Sequence, residues 1–152
     1  MFHRPLLISL LMLASPSMAA DSAQAGPYWA SLRVAEANMR VGPGEDYRIN
    51  WVYHQAHLPM KVLRTMQGWR LVQDPDGARG WMLARFLSRE RSAMVRAKPH
   101  AEMHDKPADE ARLVWRLAHG VTGKLGACSE GWCAVTIAQR KGYVRQEALW
   151  GP

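Results

Sequence analysis

Hydrophobic and polar residues alternate along much of this chain. Met60-Lys61-Val62-Leu63-Arg64 and Trp69-Arg70-Leu71-Val72-Gln73 change side at nearly every step, which is the period of a strand with one face buried and one wet. Asp74-Pro75-Asp76-Gly77 separates the second run from Gly80-Trp81-Met82-Leu83, and those residue types favour a tight turn. The same order returns downstream in Gly120-Val121-Thr122-Gly123-Lys124-Leu125, Trp132-Cys133-Ala134-Val135-Thr136-Ile137 and Gly142-Tyr143-Val144. The pattern predicts two meanders of short strands, with one tight 3₁₀ turn near Met82 to Phe86 as the only helical element. Strands of this length and number close into small barrels, so the fold class is all-β.

The two meanders are a repeat. Gly68-Trp69 is followed by Gly80-Trp81, and Gly131-Trp132 by Gly142-Tyr143; self-similarity at a fixed offset marks one supersecondary unit built twice. Arg40-Val41-Gly42-Pro43-Gly44 stands in front of the first unit, and Arg96-Ala97-Lys98-Pro99-His100 reads as its echo in front of the second. Between the units, Ser88 to Asp109 is rich in charge, Pro and His. It predicts a strand around Met94-Val95-Arg96 and then a long polar loop through Lys106-Pro107.

The N-terminus points to export. His3 and Arg4 precede the apolar run Leu6 to Ala14, which is short for a bilayer span, and Ser15-Pro16-Ser17-Met18-Ala19 follows. Residues 1–19 therefore read as a cleaved signal peptide, with Ser17 and Ala19 as the small residues before the cut and Ala23-Gln24-Ala25 as a later candidate. The competing reading, a short membrane anchor, is disfavoured by length. The protein is expected to be periplasmic or secreted, with no stable membrane span after signal removal. Residues 20–152 suffice for one ordinary domain or two very small ones that share an interface.

The formal net charge is +7, and a leader whose only charged side chain is Arg4 changes it little. Outside the cytoplasm, a basic surface points away from nucleic acid and toward wall-peptide carboxylates, phospholipid head groups, lipopolysaccharide phosphates or an acidic protein. Solubility alone would also account for the charge.

Cys128-Ser129-Glu130-Gly131-Trp132-Cys133 contains both cysteines. Half a metal site, a redox dithiol and a structural disulfide compete for this spacing. Zinc needs two further ligands, and the redox motif has two intervening residues rather than four. An oxidising compartment favours a disulfide across a hairpin whose turn holds Gly131. His54 with His57, and His100 with His104, have spacings that would share a helical face, but neither stretch reads as helix, and surface histidines in polar loops are expected. Asp74 with Asp76 and Asp105 with Asp109 lie in turns, without the burial that would tune an acid. No metal, cofactor or catalytic constellation is expected.

The front motif has its own physical logic. Gly42 and Gly44 flank Pro43 and suggest a tight turn with positive φ, and Asn38 can bond nearby backbone at a strand start. Arg40 on a strand can cover an aromatic with its stem while its guanidinium reaches a carboxylate or carbonyl. Trp69 and Trp81 follow glycines on successive strands and suit core or rim packing. Tyr47 follows the Pro-Gly loop and is the strongest candidate for ligand contact. Trp51 and Tyr53 alternate with polar neighbours and are expected to face the interior.

Ala37-Asn38-Met39-Arg40-Val41-Gly42-Pro43-Gly44, Gly68-Trp69-Arg70-Leu71-Val72, Gly80-Trp81-Met82 and Leu87 together resemble the bacterial SH3-like (SH3b) domain family. The second copy keeps Gly131-Trp132-Cys133-Ala134-Val135 and Lys141-Gly142-Tyr143-Val144 but lacks Asn and both glycines of the opening motif. The resemblance implies two tandem SH3-like β-barrels, over residues 28–88 and 93–150, the second degenerate. It also implies a non-catalytic module that binds cell-wall peptide or an envelope protein, with a groove at Arg40, Tyr47, Trp69 and Trp81. The alternatives are an adaptor that recruits a partner along a strand edge without wall binding and, more remotely, an accessory subunit of a cell-wall hydrolase.

Overall fold

A computed structural model describes residues 26–152, so the leader expected over 1–19 lies outside the described residues. The alternating runs are strands, separated where turn residues interrupt them. The first repeat comprises β1 (Tyr28–Leu32), β2 (Ala37–Arg40), β3 (Ile49–Tyr53), β4 (Pro59–Met66), β5 (Trp69–Gln73), β6 (Arg79–Leu83) and β7 (Leu87–Ser88). The second comprises β8 (Ser92–Val95), β9 (His100–His104), β10 (Leu113–Ala118), β11 (Thr122–Ser129), β12 (Trp132–Ile137), β13 (Arg140–Arg145) and β14 (Leu149–Trp150). Each has a 3₁₀ turn before its last strand, at Ala84–Phe86 and at Gln146–Ala148; the second of these was not expected. Sheet order is β3-β2-β6-β5-β4-β1-β7 in one repeat and β10-β9-β13-β12-β11-β8-β14 in the other. The topologies are identical, and two small SH3-like barrels result.

Register corrects the expected alignment of the repeats. Arg40 of β2 lies opposite Trp81, whereas His104 of β9 lies opposite Tyr143. The amide of Val41 donates to Arg48 O at 3.0 Å, and that of Asp105 to Arg112 O at the same distance. The counterpart of Arg40 to Gly44 is therefore His104-Asp105-Lys106-Pro107-Ala108, not Arg96 to His100. Arg96 instead matches Arg33, since their amides donate to Ala148 O and Phe86 O at corresponding turns. The loop expected between Arg96 and Pro107 contains β9. Ala101 and Met103 point inward while His100 and Glu102 point out, an alternation masked by the density of polar residue types.

Each barrel has its own core. Leu32, Met39, Met60, Val62, Val72 and Met82 fill the first, and Val95, Met103, Leu117, Cys133, Val135 and Val144 the second. The seam between them is shared: Met94 of β8 packs into the first barrel's core. Trp150 meets Trp29 edge to face at 4.9 Å, and its indole N–H donates to Pro59 O at 3.3 Å. Gln55 Nε2 donates to Gly120 O at 3.2 Å, and the Ser31 hydroxyl to Glu90 O at 2.9 Å. Cys128 and Cys133 face each other across β11 and β12 and are joined as a disulfide. The turn they span is made by Glu130 and Gly131, both in the left-handed region at φ 51° and 80°.

One buried polar pair anchors the β5–β6 turn. Asp74 is only 4% exposed; its Oδ1 accepts from the amides of Asp76 (3.0 Å) and Ala78 (2.8 Å), and its Oδ2 from the Tyr53 hydroxyl (2.9 Å). Burial first, then the neighbouring Asp74 carboxylate, pushes the Tyr53 phenol well above its ordinary value. Asp74→Ala leaves the buried Tyr53 hydroxyl and the turn amides of Asp76 and Ala78 without their acceptor and is expected to cost roughly 1–3 kcal/mol in denaturant unfolding; Tyr53→Phe, which removes one hydrogen bond, is expected to cost about 1 kcal/mol.

Candidate functional site

The loop between β2 and β3 is built on Arg40. From the last position of β2, its Nη1 donates to Glu45 O at 2.8 Å and Tyr47 O at 2.7 Å, so the guanidinium holds the loop closed from below. The Tyr47 ring lies flat on Gly42 and Gly44. A Cβ at Gly42 would collide with the ring, and one at Gly44 would sit 3.2 Å from its Cδ2. The expectation of positive φ at these glycines is corrected, because the left-handed glycines are Gly77, Gly120, Gly131 and Gly151. Gly42 and Gly44 serve as a bed for an aromatic ring. Pro43 lies between them, half-buried, and Asn38 stands in β2 opposite Val52.

The second barrel makes the same loop from different residues. His104 Nδ1 lies 2.9 Å from Ala111 O, the carbonyl equivalent to that of Tyr47. At 7% exposure His104 is a buried tie, which corrects its assignment as a surface histidine. Ala111 replaces Tyr47 and Lys106 replaces Gly42, so the aromatic and its bed are both gone. Arg145 stacks over Trp132 at 4.3 Å and pairs with Asp109 of the loop.

Trp69 and Trp81 lie on the outer face of the first sheet, away from Val72 and Met82. Trp81 sits opposite Leu71 and Arg40, and Trp69 opposite Met66 and Leu83. Trp81 is nonetheless 6% exposed, because the Arg64 guanidinium roofs its ring at 5.1 Å. Trp69 is half-buried at the rim. In the second barrel Ala127 occupies the position of Arg64, and a cavity of about 440 Å³ opens beside Trp132 and Tyr143.

Arg40, Trp69 and Trp81 thus share one sheet face, and Tyr47 lies above Arg40 on the loop. The open apolar surface extends differently from the expected groove: Tyr47 is 50% exposed and Trp51 56%, with Ile49, Val52 and Val41 also exposed. Tyr53 is buried as expected, but the inward placement of Trp51 is corrected. Trp51 keeps inward parity opposite Met39, yet β3 is the last strand of its sheet, and no further strand covers it there. Its counterpart Trp115 is half-buried, with the Arg140 guanidinium 4.8 Å from its ring. For Trp51 the face was legible in the sequence pattern and the exposure was not, because period two specifies a face and not whether a neighbour covers it. Among the described residues no three or more metal-ligating side chains cluster, and no helix is long and apolar enough to cross a membrane.

A seven-stranded barrel repeated with unchanged topology, each copy carrying a loop tied back to the end of its second strand, agrees with the family model that matches this chain. The bacterial SH3 domain model covers residues 33–88 and 97–151, and the chain belongs to that family. Among solved structures it is similar to NlpC2 from Trichomonas vaginalis (11% identity, 83% of this chain and 48% of that chain covered, TM-score 0.39). It is also similar to NlpC1 from Trichomonas vaginalis (13%, 92% and 51%, TM-score 0.39) and to an NlpC/P60 family protein from Bacillus cereus ATCC 10987 (14%, 81% and 56%, TM-score 0.35). The chain spans about half the length of these structures. No curated protein matches it.

The aromatic bed makes a direct prediction. Gly42→Ala should lift the Tyr47 ring, shift its aromatic proton resonances strongly and cost about 1 kcal/mol. Gly44→Ala, where contact is looser, should produce a smaller shift of the same resonances.

Proposed function

We propose that this protein is a non-catalytic, exported binding module that recognises a cell-wall peptide, or an acidic protein of the envelope, through the loop and edge strand of its first barrel. The observation that carries this reading is the open cluster of Tyr47, Ile49, Trp51 and Val52. Exposed Tyr and Trp offer flat apolar faces with polar edges, suited to an extended peptide. Arg40 positions the loop, Trp81 supports the sheet beneath it, and Trp69 completes the rim. The net charge of +7 favours ligands with free carboxylates and speeds their encounter. Membership of the bacterial SH3 family agrees with a cell-wall-associated binding role.

A second reading rests on topology. β3 pairs only with β2, so its other edge presents unpaired backbone that a partner strand could extend. The protein would then be an adaptor for another envelope protein.

Co-sedimentation with purified peptidoglycan at low and moderate salt separates the two. Wall recognition predicts binding that survives moderate salt and weakens at least about tenfold in Tyr47→Ala and Trp51→Ala, the loss typical of a binding hot spot. The adaptor reading predicts no co-sedimentation. Binding that salt abolishes and both substitutions leave unchanged would reduce the interaction to nonspecific charge.

A further inference from the structure

We propose that the seam between the barrels is a separate binding site for a small amino carboxylate, of the size of one amino acid with an apolar side chain. Three features meet there, and none belongs to the loop and edge strand of the first barrel.

The first is space. A cavity of about 300 Å³ lies where the linker crosses between the barrels, with His57 on one side and Ser92, Lys124 and Ile137 on the other. This is at the lower end of small-molecule sites, roughly 300–1,000 Å³, and suits a guest of the size of one amino acid.

The second is a departure from the repeat. The amides of His57 and Gly120 donate to the equivalent carbonyls of Leu32 and Val95 at 2.7 and 2.8 Å. Both residues are left-handed, at φ 63° and 86°. The repeat needs a left-handed residue here, which glycine supplies without strain. The first barrel carries His instead, and so places an imidazole on the cavity wall. Strained non-glycine positions of this kind persist where the surroundings over-determine them, and they gather at functional sites.

The third is the chemistry of the wall. Lys124 Nζ lies 2.9 Å from Glu90 Oε1, and Arg91 commits one nitrogen to Gly151 O at 2.7 Å. The Ser92 hydroxyl is buried and has no hydrogen-bond partner. The hydrogen bond and charge of Lys124 hold the Glu90 carboxyl below its ordinary value, so the acid stands ionised beside the ammonium. Two cations and one carboxylate, all at the exposed mouth of the cavity, match a zwitterion: Lys124 and Arg91 take its carboxylate, and Glu90 takes its ammonium. A dianionic phosphate would face Glu90 without compensation. Ile137 supplies an apolar wall for the side chain.

The test is titration of the isotope-labelled protein, followed by backbone amide shifts of Ser92, Gly123 and Ile137. The probes are L-leucine, 4-methylpentanoate, isopentylamine and inorganic phosphate. L-leucine should give saturable shifts, 4-methylpentanoate should bind at least fivefold more weakly, and isopentylamine and phosphate should not saturate. Lys124→Met should raise the dissociation constant for L-leucine at least fivefold. His57→Gly, which gives the first barrel the residue its repeat-mate already has and so keeps the fold, should raise it as well. No saturation by L-leucine, an equal response to isopentylamine, or binding unchanged in both variants would overturn the assignment.

Discussion

Closure of each barrel depends on a methionine lying over a glycine. A Cβ at Gly80 would come within 2.5 Å of Met39 Cγ and 2.8 Å of Arg40 O; at Gly142 the distances to Met103 Cγ and His104 O would be 2.5 and 2.7 Å. The absence of a side chain at these two positions lets β2 approach β6 and β9 approach β13, and the flexible thioether fills the space beneath. The rest of the site follows by one step of the strand period. The residue after each glycine, Trp81 or Tyr143, is turned to the outer face. The residue after each methionine, Arg40 or His104, reaches the root of the loop and ties its carbonyls. Tyr47 is presented on its glycine bed because Arg40 has closed the loop beneath it.

The β-rich fold and the duplication were readable in the chain because both are local signals. Period two, the Asp-Pro-Asp-Gly turn and the glycine-aromatic pairs each occupy a few adjacent residues. The alignment of the second front motif was misread for the same reason: Arg96 and Pro99 imitate Arg40 and Pro43 in type, while the true equivalents, His104 and Pro107, share the register of the sheet and only one residue type. Sequence order does not say which residue lies opposite Tyr143. The exposure of Trp51, the roofing of Trp81 by Arg64 and the tie made by His104 all depend on neighbours brought together by pairing. The role of Gly42 and Gly44 was half legible, since their small size was evident but not the ring that requires it.

The two repeats have kept one backbone and diverged in what they expose. In the first barrel the loop aromatic, its glycine bed and the bare edge strand are retained together. In the second they are replaced by Ala111, Lys106 and an arginine over Trp115, while a disulfide closes the hairpin. The seam binds them into one body, because Met94 contributes to the core of the barrel it does not belong to and Trp150 caps the other's first strand through Trp29.

The dependence of the whole on methionine-over-glycine closure is tested most directly by equilibrium unfolding of Gly80→Ala, followed through backbone amide signals from each barrel. The added Cβ meets a backbone carbonyl that cannot move without opening the sheet, so a loss of about 1–3 kcal/mol is predicted, with signals from both barrels disappearing in one transition. Unchanged stability, or loss of the first barrel while the second keeps its signals, would contradict the account.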